Sequence, residues 1–176
     1  MPKLVFMAVV LGTFGSMLFA QPPKNPVMDT VRHIFERQQK NLTAAAEEMP
    51  ADKYSYHPTP PQMSFGKLVM HIAESNDFLC ARIAGSEPQE MKLKETDGKD
   101  KLVSALKKSF DYCGGVLAKV DDSRLGSEVK LFGGRTAPKA AAAISLTNDW
   151  ADHYAAAAIY LRLNGLLPPT ALKKGE

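Results

Sequence analysis

The chain has 176 residues, of which 45% are hydrophobic and 23% charged, and its formal net charge is +3. This length is typical of one domain with its own hydrophobic core. The charge is weak, and no basic stripe is interleaved with aromatic residues. Nucleic acid is therefore excluded as an expected partner.

The N-terminus has the layout of a cleaved secretory signal. Lys3 provides a short positively charged start, and residues 4–18 form an apolar run. This pattern predicts cleavage near Ala20 and export to the periplasm or the cell exterior. An uncleaved membrane anchor is the alternative, but the run is short for a span of about 20 residues. Removing residues 1–20 takes away Lys3 and no acid, so the net charge of +3 becomes +2.

Residues 21–176 are predicted to form a single domain without a stable membrane anchor, because no second apolar run could cross a bilayer. Its first helix is expected to begin at Asn25-Pro26, since Asn is a good N-cap and Pro is favoured at the first helical position. Apolar residues keep the helical period as far as Met49. A loop rich in Pro and Tyr follows over residues 50–63.

The second helix is predicted from about Ser64 to Ala84, with Gly85 as its C-terminal stop. His71 lies on one shoulder of its apolar face, next to Phe78. A shoulder histidine can reach into the centre of a bundle or form a hydrogen bond at its surface. Periodicity leaves both alternatives open.

A polar linker over residues 85–98 precedes the third helix, which is predicted from about Lys99 to Val120. Residues 121–136 hold turn signals and a short alternating piece, which indicates a loop with at most a short extended segment. The fourth helix is expected to start at Thr136 and to run to about Leu163. Gly165 and two prolines end it.

Four long helices without a convincing sheet predict an all-α four-helix bundle. The linker between helices two and three is long enough for a crossover, so these two helices could be parallel. That arrangement would bring Cys80 and Cys113 to the same end of the bundle. An exported protein can form a disulfide from such a pair, and two buried free thiols are the alternative.

Asp149 and His153 are four residues apart on helix four, which places both side chains on one face. His153 falls within the apolar stripe that includes Trp150, and Asp149 falls at its edge. Polar groups that point towards a core need partners, and a metal ion is one such partner. The alternative is a structural cluster in which His153 bonds to Asp149 while His71 faces solvent.

Several segments of the chain resemble the DinB superfamily, and in particular its exported bacterial members. The resemblance rests on these segments: Pro58–Gly66, His71–Asn76, Asp152–Tyr154, Tyr160–Gly165 and Pro168-Pro169. It covers nearly the whole of residues 21–176 and implies an up-down-down-up four-helix bundle. Bundles of this kind often pair, so a homodimer is an open expectation.

The resemblance also implies a divalent metal held by three histidines, one from helix two and two from helix four. His71 and His153 match two of these positions, and Asp149 stands where the third histidine is usual. Two imidazoles and a carboxylate are an acceptable ligand set for zinc, nickel, iron or manganese. Trp150, Tyr154 and Phe78 are expected to line or support the pocket.

Such an ion lowers the pKa of a bound water or activates a thiolate. Characterised relatives include thiol-dependent transferases and isomerases. The resemblance therefore implies a metal-dependent transferase or hydrolase that acts on a small molecule. The alternative is a non-catalytic exported binding or stress-associated module with a degenerate metal site, which the Asp149 exchange and the export signal favour.

Overall fold

The structure, a computed structural model, describes residues 24–172. It contains four long helices and one two-stranded antiparallel sheet: α1 (Pro26–Glu48), α2 (Phe65–Ala84), α3 (Lys99–Leu117), β1 (Glu128–Lys130), β2 (Thr136–Pro138) and α4 (Lys139–Leu163). The signal that the sequence predicts over residues 1–20 lies outside the described range. None of the helices described combines the length and the apolar character needed to cross a membrane.

The ends of α2 follow directly from local sequence. The Ser64 hydroxyl accepts a hydrogen bond from the Lys67 amide at 3.0 Å, as an N-cap residue does. At the other end Gly85 adopts a φ of +81°, a conformation that costs little without a Cβ atom. The predicted bounds of this helix are confirmed.

Helix α1 begins at Pro26 as predicted, but a distant residue caps it. Asn25 holds the N-cap position, but its side chain does not cap the helix. Instead, the Asp122 carboxylate accepts hydrogen bonds from the amides of Val27 and Met28 at 2.9 and 2.8 Å. An acid at a helix N-terminus also interacts favourably with the helix dipole. The loop after α3 therefore anchors the first turn of α1.

Helices α2 and α3 run parallel to each other. The Asn76 side chain donates to the Ser109 hydroxyl at 3.0 Å, and Cys80 is bonded to Cys113 in a disulfide with a Cα–Cα distance of 5.3 Å. Both contacts join residues that are 33 positions apart. Contacts that advance together along two helices require the helices to point the same way.

Helix α4 is antiparallel to α2, and helix α1 is antiparallel to α3. The Tyr160 hydroxyl, near the end of α4, donates to the Met63 carbonyl just before α2 at 2.7 Å. Arg32, early in α1, donates to the Leu117 carbonyl at the end of α3 at 2.9 Å. With α2 and α3 parallel, these contacts give an up-down-down-up order. The predicted four-helix bundle is therefore confirmed.

The core is aromatic where the helices meet. The Trp150 ring of α4 lies 5.6 Å from Phe35 of α1 and 6.0 Å from Phe110 of α3, measured between ring centroids. Helix α3 approaches α1 closely at Gly114, where an added Cβ would lie 3.2 Å from the Phe35 ring. This glycine therefore serves close packing, although glycine is costly inside a helix.

A buried polar bridge ties α2, α3 and α4 together at Asn76. Its side-chain oxygen accepts a hydrogen bond from the Trp150 indole at 2.6 Å, and its amide donates to the Ser109 hydroxyl at 3.0 Å. Asn76 has no exposed surface. Because every bond of this bridge is buried, its loss leaves donors and acceptors that water cannot satisfy.

We expect the Asn76→Leu variant to lose about 1–3 kcal/mol of unfolding free energy, since the Trp150 indole would be buried without an acceptor. Urea denaturation followed by circular dichroism measures this loss. The matched control is Asn148→Leu, which changes an exposed residue of α4. Equal stability of the two variants would contradict the role assigned to Asn76.

The structure corrects the predicted start of α4. Thr136 was expected to begin the helix, but it belongs to β2 and is paired with Lys130. The helix begins at Lys139, whose amide donates to the Ser127 carbonyl at 2.7 Å. A strand partner thus takes up residues 136–138 before the helical repeat can start. Helix α3 also ends earlier than predicted, at Leu117.

Candidate metal centre

His71, Asp149 and His153 come together between α2 and α4. One ligand atom from each of them lies within 4.8 Å of those of the other two. The two imidazole rings are 4.9 Å apart between centroids. Asp149 and His153 share a face of α4 because they are one turn apart, and the antiparallel packing of α2 brings His71 opposite them.

The backbone of α4 orients the His153 ring. Its Nδ1 lies 2.6 Å from the Asp149 carbonyl oxygen and 3.4 Å from Asp149 Oδ2. A carbonyl oxygen can only accept, so Nδ1 must carry the hydrogen in this bond. The lone pair of the neutral ring then lies on Nε2, which is the arrangement that metal-ligating histidines use.

The charge environment of His153 favours a cation. Burial by itself would lower the pKa of His153, but the Asp149 carboxylate and carbonyl and the nearby charge of Asp152 outweigh it, so the pKa is raised above its ordinary value. The side chains of His153 and Asp149 are only 16% and 18% exposed. A positive charge held here, by a proton or by a metal ion, is thus stabilised by a partly buried carboxylate.

The residues present fit a divalent ion. Asp149 Oδ2 is buried and has no hydrogen-bond partner, which is a costly state for a carboxylate oxygen. The ring of His71 also forms no hydrogen bond within residues 24–172. Two imidazole nitrogens and one carboxylate oxygen suit zinc, nickel, iron or manganese. His71, Asp149 and His153 would hold such an ion and leave further coordination positions open.

The other three predicted site residues pack around these helices. Trp150 is fully buried and bonded to Asn76. The Tyr154 hydroxyl donates to the Thr170 hydroxyl at 2.8 Å and accepts from the Thr170 amide at 3.0 Å. The ring of Phe78 stacks on Phe132 at 4.3 Å. Within the described residues, these three side chains make packing and hydrogen-bond contacts that hold α2 and α4 in place. The candidate ligand atoms come from His71, Asp149 and His153.

Asn76 and Thr170 are the partners that sequence reasoning missed. Asn76 belongs to the same helix as His71 and holds Trp150, which adjoins Asp149 in the chain. Thr170 fixes Tyr154, which adjoins His153. Helical periodicity carries no signal for either contact, because both partners come from other segments of the chain.

Comparison with known proteins identifies the fold independently. The model of the DinB superfamily matches residues 34–155. A DinB-like protein from Bacillus cereus superposes with a TM-score of 0.67 at 16% identity, covering 80% of this chain and 95% of that one. A DinB-like protein from Bacillus subtilis gives 0.65 at 22% identity, with 77% and 92% covered. No curated protein sequence matches significantly.

A mycothiol-dependent maleylpyruvate isomerase is also similar, with a TM-score of 0.61 and 13% identity, over 73% of this chain and 59% of the isomerase. At these identities the structural likenesses establish the fold alone. The family match is stronger evidence, because it covers well over half of the sequence and includes every residue of the candidate metal centre. The chain belongs to the DinB superfamily.

Proposed function

We propose that this protein holds one divalent metal ion between α2 and α4 and acts as a metal-dependent transferase or hydrolase on a small molecule. His71, Asp149 and His153 are the proposed ligands. The observation that carries the proposal is the buried oxygen of Asp149, which lacks a hydrogen-bond partner beside two imidazole rings. A divalent ion would satisfy that oxygen and both rings at once.

Asp149 positions His153 for binding an ion. The carbonyl of Asp149 holds Nδ1 of His153, so Nε2 is free to bind. The carboxylate of Asp149 would compensate part of the positive charge of the ion. When bound, a divalent ion with open positions acts as a Lewis acid towards a water or a thiol.

Thiol transfer and hydrolysis differ in their co-substrate, which is a thiol in the first reaction and water in the second. One structural relative is a mycothiol-dependent isomerase, which makes a low-molecular-weight thiol the first co-substrate to test. We also propose export, supported by the signal-like N-terminus and by the disulfide, since disulfides persist in oxidising compartments. Reduced thiols are scarce outside the cytoplasm, so hydrolysis has to be tested beside thiol transfer.

The Asp149→Asn variant tests the metal site while preserving the shape of the side chain. In the parent protein, free zinc at about 100 times Kd should raise the unfolding free energy by about 2.7 kcal/mol. We expect most of this increment to disappear in Asp149→Asn, because a neutral amide is a poorer ligand for a divalent cation. Thermal unfolding with and without zinc measures it.

Asp152→Asn is the matched control, because it removes an exposed carboxylate three residues further along the same helix. This variant should keep the increment from zinc. If Asp149→Asn keeps it as well, the three residues form a structural cluster and the metal proposal is wrong.

Catalysis is tested separately on metal-loaded protein with panels of esters, amides and thiol-dependent electrophiles. Activity above the level of a metal-free sample would support the enzyme. Bound metal without activity on any panel would instead favour the non-catalytic binding module.

A further inference from the structure

A cavity of about 530 Å³ lies at the other end of the bundle, where α2 and α3 end and α4 begins. This volume is in the range of small-molecule pockets. Lys139 is part of its wall and lies 14 residues before His153 on α4. At a rise of about 1.5 Å per residue, this cavity is about 20 Å from the candidate metal centre. It is therefore a separate site.

Lys139 is the feature that makes this cavity unusual. The residue is only 4% exposed, yet within residues 24–172 its ammonium group forms neither a hydrogen bond nor an ion pair. Burial lowers its pKa, and so does the nearby charge of Arg124. The stem of the side chain is buried, whereas Nζ keeps contact with solvent in the cavity and has no carboxylate within ion-pair distance among the described residues.

Two of the three other charged residues on the wall are also positive. Arg124 and Lys119 also line the cavity and form no ion pairs in the described part of the chain, whereas Asp111 is the one carboxylate among the lining residues described. The cavity thus presents three cationic side chains and one acid to its contents.

The wall also has an apolar part, formed by Ala84, Val116 and Val120. Phosphate alone would leave this part without contact. We propose that the cavity binds a small organic anion, whose carboxylate or phosphate group pairs with Lys139 and Arg124 while an apolar body packs against α2 and α3. This site is independent of the metal centre and of the reaction proposed there.

Calorimetric titration of the protein at low ionic strength tests the proposal. The probes are phenyl phosphate and benzoate, which separate a phosphate from a carboxylate preference, and neutral benzyl alcohol is their control. We expect one molecule of at least one anion per chain, with benzyl alcohol binding much more weakly. No binding of either anion at millimolar concentration, or equal binding of benzyl alcohol, would overturn the proposal.

Lys139→Met removes the charge but keeps an unbranched apolar chain for the buried stem, so the fold should be retained. Binding should weaken about ten-fold or more, as expected for the loss of a charged hydrogen bond. Lys108→Met is the matched control on an exposed face of α3 and should bind within about two-fold of the parent. Arg124→Gln, which changes an exposed residue, should weaken binding without any risk to the core.

Two results would contradict the assignment. Unchanged affinity in both Lys139→Met and Arg124→Gln would mean that the anion binds elsewhere. Loss of binding in a protein stripped of metal with a chelator would place the anion at the metal centre instead. Retained binding in the stripped protein supports two independent sites, whatever the fate of the metal proposal.

Discussion

Replacing His71 by Ala is expected to remove the bound divalent metal while leaving the bundle folded. His71 is the one ligand that α2 contributes, so without it Asp149 and His153 can offer an ion only two protein ligands from a single helix. Loss of an outer partner of a ligand already costs about 10- to 100-fold in metal affinity. We expect loss of the ligand itself to exceed that range.

The measurement is elemental analysis of protein purified from its natural compartment without a metal-affinity resin. The parent should contain about one zinc, nickel, iron or manganese per chain, and His71→Ala should contain essentially none. His33→Ala is the matched control, since His33 is exposed on α1 and remote from the ligand cluster. Circular dichroism melting of all three proteins checks that the bundle is intact.

Stoichiometric metal in His71→Ala would contradict the proposed ligand set. Absence of metal from the parent, even after dialysis against excess zinc, would contradict the metal site altogether. The Asp149 exchange would then have dismantled the site, and the protein should be studied as a binding module.

Removal of the disulfide is expected to lower the free energy of unfolding substantially. The bond between Cys80 and Cys113 closes a loop of 33 residues that contains the whole crossover from α2 to α3. In the chain-entropy model this cross-link contributes about 3–4 kcal/mol, because it restricts the unfolded chain. The Cys80→Ala/Cys113→Ala double variant should lose approximately that amount in urea denaturation.

Two comparisons separate the cross-link from side-chain packing. The parent protein reduced with a phosphine keeps both sulfur atoms in the core, so its loss of stability reports the cross-link alone. The double variant loses the packing of both sulfur atoms in addition, and the reductant should leave its stability unchanged. A loss below about 1 kcal/mol in the reduced parent would show that the crossover is held by packing rather than by the disulfide.

Local sequence determined the helices and most of their ends. Ser64 and Gly85 bound α2 as predicted, because an N-cap hydroxyl and a glycine with positive φ act within one turn of the chain. Apolar periodicity was sufficient for the fold class, since four amphipathic helices have few ways to bury their faces. The spacing of Asp149 and His153 likewise identified one face of α4.

Contacts between residues distant in sequence determined the cap of α1, the start of α4 and the position of His71. Asp122 caps α1 from the loop after α3, and the strand that ends at Pro138 delays the start of α4. The periodicity of α2 left His71 on a shoulder with two alternatives. Only the antiparallel packing of α2 against α4 places it beside His153.

Local sequence also does not determine which charged side chains become buried. In the sequence Lys139 is one of 22 basic residues, and nothing in its neighbourhood distinguishes it from a solvated lysine at the start of a helix. In the fold its side chain is 4% exposed and forms part of the cavity wall, where its ammonium group has no partner within residues 24–172. Sequence determines which side chains can carry charge, whereas the packing of distant segments determines which charges lose their water, because desolvation depends on neighbours that periodicity does not specify.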